Sequence, residues 1–122
     1  MEDATGNKET VKFSDLQKLD LRSGKILSAE PIEGADKLYK LSIDLGPLGQ
    51  RTLVAGLKQY YNPEQIKGKS CIVFTNLEPR TLRGIESQGM ILAAASEDES
   101  KVCLLQPDKE IEPGSNHYRT HE

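Results

Sequence analysis

The sequence predicts an all-β domain: a five-stranded barrel with one short helix between strands three and four, and extra strands toward the C-terminus. Three observations predict it. Tyr39, Leu41, Ile43 and Leu45 alternate with Lys40, Ser42 and Asp44, the period of a half-buried strand. Short β-rich runs recur along the chain, separated by turn residues such as Gly46-Pro47-Leu48-Gly49. One segment alone carries helix punctuation, with Asn62 as cap, Pro63 at the first helical position and Gly68 as stop. The length of 122 residues supports one domain with a single modest core.

In chain order, residues 1–12 are polar and aperiodic and read as a disordered lead. The domain itself is expected over 13–118. Ser14 is a candidate cap for a helical turn over 15–18 that would pack Phe13 and Leu16 onto the body. Residues 19–29 form the first strand, and Gly24 inside it marks a bulge or sharp bend. A turn over 31–36 leads to the alternating second strand. The third strand is 50–55, the helix follows over 62–68, and the fourth strand covers 70–75. Residues 76–88 read as a polar connector and 89–95 as the fifth strand. An acidic turn over 96–100 precedes one more strand, 101–105, and then loop. Three strands, a helix and two strands is the element order of an oligonucleotide/oligosaccharide-binding (OB) barrel. Residues 96–118 are then surplus to a complete barrel. By themselves they read as cover for the barrel's own edge.

Composition removes several classes of function. The longest apolar run, Met90 to Ala95, is too short to span a bilayer, and the acidic start Met1-Glu2-Asp3 is unlike a secretory signal. Cys71 and Cys103 each lie in an apolar run and read as two buried, reduced thiols of a cytoplasmic protein. With His117 and His121 in a polar tail, no zinc set is expected, and no cofactor is implied. GxSxG, HExxH, CxxC and a phosphate-binding glycine loop are all lacking, and no acid/base cluster stands out. A catalytic role is not expected. Net charge is −3, but it is uneven: residues 22–90 hold ten Lys and Arg against seven acids. A polyanion responds to such a local surplus rather than to the whole-chain total.

The informative stretch is the connector and its continuation, Asn76-Leu77-Glu78-Pro79-Arg80-Thr81-Leu82-Arg83-Gly84 to Ser87-Gln88-Gly89-Met90. Arginine forks suit phosphate oxygens, and Asn, Gln and Ser reach ribose hydroxyls or base edges. The alternative is that Pro79 and Gly84 merely shape a connector whose arginines decorate the solvent. With aromatics at 5% and no Trp, stacking readout of single strands is disfavoured against recognition of a folded RNA's shape.

With Asp20-Leu21-Arg22-Ser23-Gly24-Lys25-Ile26, Ala35-Asp36-Lys37-Leu38-Tyr39-Lys40-Leu41, Val54-Ala55-Gly56 and Gly68-Lys69, these motifs resemble the freestanding tRNA-binding domain family. Relatives include small dimeric tRNA-binding proteins, the C-terminal extension of methionyl-tRNA synthetases, and the endothelial monocyte-activating polypeptide module. The resemblance covers about residues 13 to 118. It implies non-catalytic binding of folded tRNA as an accessory to aminoacylation, by a homodimer that pairs through the extension over about 96–118 or beside a methionyl-tRNA or other synthetase. By position it carries contact roles to Asn76, Arg80, Arg83, Ser87, Gln88 and Met90, with Lys40 and Arg22 on the matching strands. Arg22 has the alternative of pairing with Asp20, and Met90 that of being core. The sequence departs from the family at Glu78 and Thr81, where basic residues are common, and at Ser23, where Val is common. Two other functions fit the same barrel: a peptide-binding chaperone, and a dimerisation module of a synthetase.

Overall fold

In the computed structural model, residues 8–116 are described. Nine strands and two short α-helices follow in order: α1 (Phe13–Leu16), β1 (Leu21–Ile32), β2 (Ala35–Asp44), β3 (Gln50–Ala55), α2 (Pro63–Ile66), β4 (Ser70–Phe74), β5 (Arg80–Leu82), β6 (Ile85–Ser87), β7 (Met90–Ile91), β8 (Ala93–Ala95) and β9 (Val102–Leu104). The main sheet has the order β3-β2-β1-β4-β7, every neighbour antiparallel. This is the expected five-stranded OB-type sheet, with its helix between the third and fourth strands. The ladder does not run on from β7 to β3, so the sheet is not a closed barrel.

Ile26, Leu41, Ile43, Leu45, Leu53, Ile66, Cys71 and Val73 are fully buried and form the centre of the core. They come from alternate positions of β1 to β4, as period-2 patterning requires, with Ile66 added by α2. Helix α2 is capped reciprocally: Asn62 Oδ1 accepts from the Gln65 amide at 3.0 Å, and Gln65 Oε1 accepts from the Asn62 amide at 2.7 Å.

Several expectations change. The first hairpin is tighter than the turn over 31–36, because β1 runs through Pro31 to Ile32 and turns on Glu33-Gly34. A register shift beside Pro31 accommodates the missing amide. The bulge of β1 lies between Ile26 and Ser28 rather than at Gly24. Gly24 marks a close approach instead: a Cβ there would stand 2.8 Å from Ile43 Cγ2. Phe13 and Leu16 do not pack onto the body and remain exposed, and Asp15, not Ser14, closes α1 by accepting from the Lys12 amide at 3.1 Å. The expected lead lies outside the described residues up to residue 7; residues 8–12 are exposed coil. His117 and His121 also lie outside them.

The fifth strand divides at Leu92. Before it, β7 pairs with β4; after it, β8 pairs with β9. Val102 and Leu104 pack against the core, so Cys103 between them faces outward, contrary to its expected burial. Cys71 is buried as expected, and desolvation pushes its thiol up to about 12. The tail returns to β1, where Gly114 donates to the Ser23 carbonyl at 2.8 Å and Ser23 Oγ donates to the Glu112 carbonyl at 2.9 Å. Ser23, the departure from the family's Val, thus fixes the tail along the part of β1 that β2 leaves unpaired.

Candidate nucleic-acid interface

The connector is a β-hairpin rather than an irregular loop. β5 pairs with β6, and Arg83-Gly84 forms the two-residue turn with φ of 52° and 79°. Both torsions are left-handed, as a type I′ turn needs, and that turn matches the twist of the flanking strands. Asn-Gly is the usual sequence there, so Arg83 gave no hairpin signal. The turn carries the Arg83 side chain to the exposed tip.

The hairpin lies against the outer edge of β3. Ser87 Oγ accepts from the Val54 amide at 2.9 Å, and Gln88 Oε1 accepts from the Thr52 amide at 3.2 Å. The Gln88 amide in turn donates to the Thr52 carbonyl at 2.9 Å. Side-chain oxygens thereby satisfy edge donors of β3 that would otherwise wait for another strand. Gly89 allows the next step. Its φ is 136°, and a Cβ there would stand 2.9 Å from the Phe74 carbonyl oxygen.

One row crosses four strands. Lys40 on β2 is opposite Val54 on β3, the Val54 amide is bonded to Ser87 on β6, and Ser87 is opposite Arg80 on β5. Lys40 and Arg80 are exposed at the two ends of that row, and Arg83 at the tip. Among the described residues none of the three has a carboxylate partner within ion-pair distance. Beside Arg80 lies a small recess whose lining mixes apolar Val54, Leu77, Leu82 and Met90 with Glu78, Arg80 and Ser87. Met90 is 44% exposed and so belongs to the surface rather than the core.

Three expected contact residues make hydrogen bonds within the fold. Ser87 is buried, with its hydroxyl bonded to the Val54 amide and the Gly89 carbonyl. Asn76 accepts from the Asp20 amide at 2.8 Å and donates to the Lys18 carbonyl at 2.8 Å, which fastens the segment before β1 to the end of β4. Arg22 is occupied by Asp20, with Nε to Oδ2 at 3.0 Å, and by the Gly114 carbonyl at 3.2 Å. Its guanidinium thus makes the pair with Asp20 that was the alternative to a contact role. Gln88 divides its carboxamide: the oxygen is held by Thr52, and the residue as a whole stays exposed.

Asp20 gathers these contacts. Burial works against its charge, but hydrogen bonds from Thr75, Asn116 and Arg22 and the Arg22 charge outweigh it, so the carboxyl titrates below its ordinary value. Sequence reasoning missed Arg51. It shares the inward face of β3 with Leu53, yet it is only half buried at the strand's end. Its Nη1 donates to the Thr75 carbonyl at 2.8 Å and the Gln88 carbonyl at 3.4 Å. A cation at a core-facing position of an otherwise apolar pattern was the available signal, because a group placed there must find acceptors. Tyr60 and Tyr61 are half buried; the Tyr60 hydroxyl donates to the Glu99 carbonyl at 2.9 Å and the Tyr61 hydroxyl accepts from the Leu104 amide at 3.2 Å.

A small OB-type sheet whose edge hairpin presents two exposed arginines defines a class of oligonucleotide-binding modules. Residues 21–116 match the family model described as "Putative tRNA binding domain", and the chain belongs to that tRNA-binding domain family. It is 55% identical over 107 residues to a methionine–tRNA ligase of Pyrococcus horikoshii, covering 88% of this chain and 14% of that protein. It is 47% identical over 108 residues to the methionine–tRNA ligase of Clostridium tetani, covering 88% of this chain and 17% of that one. The chain thus spans a small fraction of those relatives. Among solved structures, it is similar to a MetRS-related protein of Pyrococcus horikoshii, with a TM-score of 0.84 and 34% identity over 91% of this chain and all of that one. It is also similar to the chaperone CsaA of Bacillus anthracis, with a TM-score of 0.82 and 31% identity over 90% of this chain and all of that one.

Proposed function

We propose that this chain binds folded tRNA without transforming it, as an accessory to aminoacylation, either as a homodimer or attached to or associated with a methionyl-tRNA synthetase. One observation carries the reading. Lys40, Arg80 and Arg83 stand exposed along one seam, without ion pairs among the described residues, and Arg80 borders a small recess there. Cations held on strands and on a two-residue turn keep their spacing, which suits phosphates already spaced by a folded RNA. Met90, exposed on β7, sits beside them and supplies apolar contact. Glu78 and Glu86 on the same hairpin dilute the charge, so the affinity depends moderately on salt.

The exposed apolar groups Ala93 to Ala95, Leu105 and Ile111 support pairing through the segment after the sheet. A second copy would double the binding surface and raise avidity. Deleting that segment does not test pairing cleanly, because 112–116 also bond to β1. Leu105→Lys is the better probe, read by sedimentation; an unchanged mass per particle counts against pairing through this face.

The similarity to a chaperone, together with the recess beside Arg80, favours peptide binding as the second reading. Titration with unfractionated tRNA, single-stranded RNA and an unfolded peptide separates the two. Tight binding of tRNA that weakens with salt, and weakens again in Arg80→Ala and Arg83→Ala, supports the first. Preference for peptide overturns it.

A further inference from the structure

We propose that Ser87 and Gln88 are positioning residues for tRNA binding: they act through Arg80, by pinning the hairpin to β3, and not by touching RNA with the groups that resemblance would assign to contact. The proposal rests on the tRNA-binding reading. It adds a division of labour that the family motif does not contain.

The geometry carries it in three parts. First, the acceptor atoms are committed. Ser87 is only 5% exposed, and its hydroxyl receives the Val54 amide and donates to the Gly89 carbonyl. A hydroxyl has one proton, and that proton is already used. Gln88 Oε1 receives the Thr52 amide. Second, these side chains do the work of a missing strand. The ladder ends at β3 on one side and β7 on the other, and beside these side chains one backbone bond, from the Gln88 amide to the Thr52 carbonyl at 2.9 Å, joins the end of β6 to β3. The hairpin's seat depends on Ser87 Oγ, the two Gln88 bonds, and Arg51, which donates to the Gln88 carbonyl at 3.4 Å. Third, the seat and the exposed cation share one short path. Arg80 is the register partner of Ser87, so freeing Ser87 from Val54 frees the strand that presents Arg80.

A double-mutant cycle tests this in the full chain, with Ser87→Ala, Arg80→Ala and the pair, each titrated with unfractionated tRNA over a salt series. Ser87→Ala is expected to weaken binding and to make the salt dependence shallower, as though a phosphate contact had been lost, although no charge was removed. In the Arg80→Ala background the same change is expected to do little, because residues acting through one another are not additive. Ser87→Thr, which keeps the oxygen, is expected to restore most of the affinity. Hydrogen exchange reads the seam without RNA: in Ser87→Ala the Val54 amide is expected to exchange roughly tenfold faster, the loss of about one hydrogen bond, with the Leu41 amide unchanged.

An equal loss from Ser87→Ala in both backgrounds, with an unchanged salt slope, would mean direct contact and would overturn the proposal. Unaltered Val54 exchange would overturn it as well, and this arm stays decisive if the variant binds poorly or if tRNA is not the ligand. Failure of the tRNA-binding reading shows differently, as a wild-type chain that does not bind tRNA or an Arg80→Ala variant that binds it unchanged.

Discussion

The Ser87 hydroxyl accepts a hydrogen bond from the Val54 amide at 2.9 Å and donates one to the Gly89 carbonyl at 3.1 Å. One buried side chain therefore links the edge of β3 to the hairpin before β7 and closes a gap that no backbone ladder spans. The exposed Arg80 stands directly across the hairpin from it. The most polar-looking motif of the sequence is thus partly a joint, with the charged residues as its outward side.

Arg83 holds a left-handed φ of 52° at the first turn position. A non-glycine residue there costs about 1 kcal/mol, and Asn tolerates the conformation better. Arg83→Asn is expected to fold with equal or slightly greater stability, by up to about 1 kcal/mol, while binding tRNA more weakly. Thermal unfolding and a tRNA titration on the same sample check both halves. Lower stability would mean that the Arg83 side chain supports the fold.

Gly89→Ala is expected to destabilise the domain by at least about 2 kcal/mol, from strained backbone and from crowding of the Phe74 carbonyl. The urea midpoint measures it. A loss below about 0.5 kcal/mol would show that the segment can shift and that the seam is not rigid.

Asp20 gives the stability a pH signature. Its carboxyl titrates below the ordinary value because hydrogen bonds from Thr75, Asn116 and Arg22 outweigh burial. A carboxyl with a depressed folded value adds stability above its unfolded value, about pH 3.9, and loses it as the pH falls through the lower folded value. Asp20→Asn is therefore expected to cost stability at pH 7 and to narrow the gap from the native chain under acid conditions. Urea midpoints at pH 7 and in steps below pH 4 test this; a constant gap would argue against the depressed value.

The two thiols should report separately. Cys71 is buried with its thiol pushed up to about 12, and Cys103 is exposed on β9. A thiol reagent is expected to label Cys103 quickly in dilute native protein and Cys71 only after unfolding. If copies pair through β8 and β9, labelling of Cys103 slows as protein concentration rises. Fast labelling of both thiols in native conditions would contradict the packing of β4.

Periodicity and punctuation determined much of this molecule in advance. Alternation from Tyr39 to Leu45 placed β2 and its core face. Asn62-Pro63 placed α2, because capping is a local matter of one side chain and the next few amides. Lys40 could be assigned outward because its neighbours had to be inward. The tertiary structure alone decided what the connector would be. Arg83-Gly84 is an uncommon turn pair, β5 and β6 are three residues each, and such short strands leave no period to read. It also decided which polar groups remained for a ligand. Arg22, Asn76 and Ser87 looked like contacts, but each has a partner within the fold, 92, 56 and 33 positions away. A sequence records which groups can form hydrogen bonds. Which of them are already satisfied depends on distances that exist only after the chain has closed on itself.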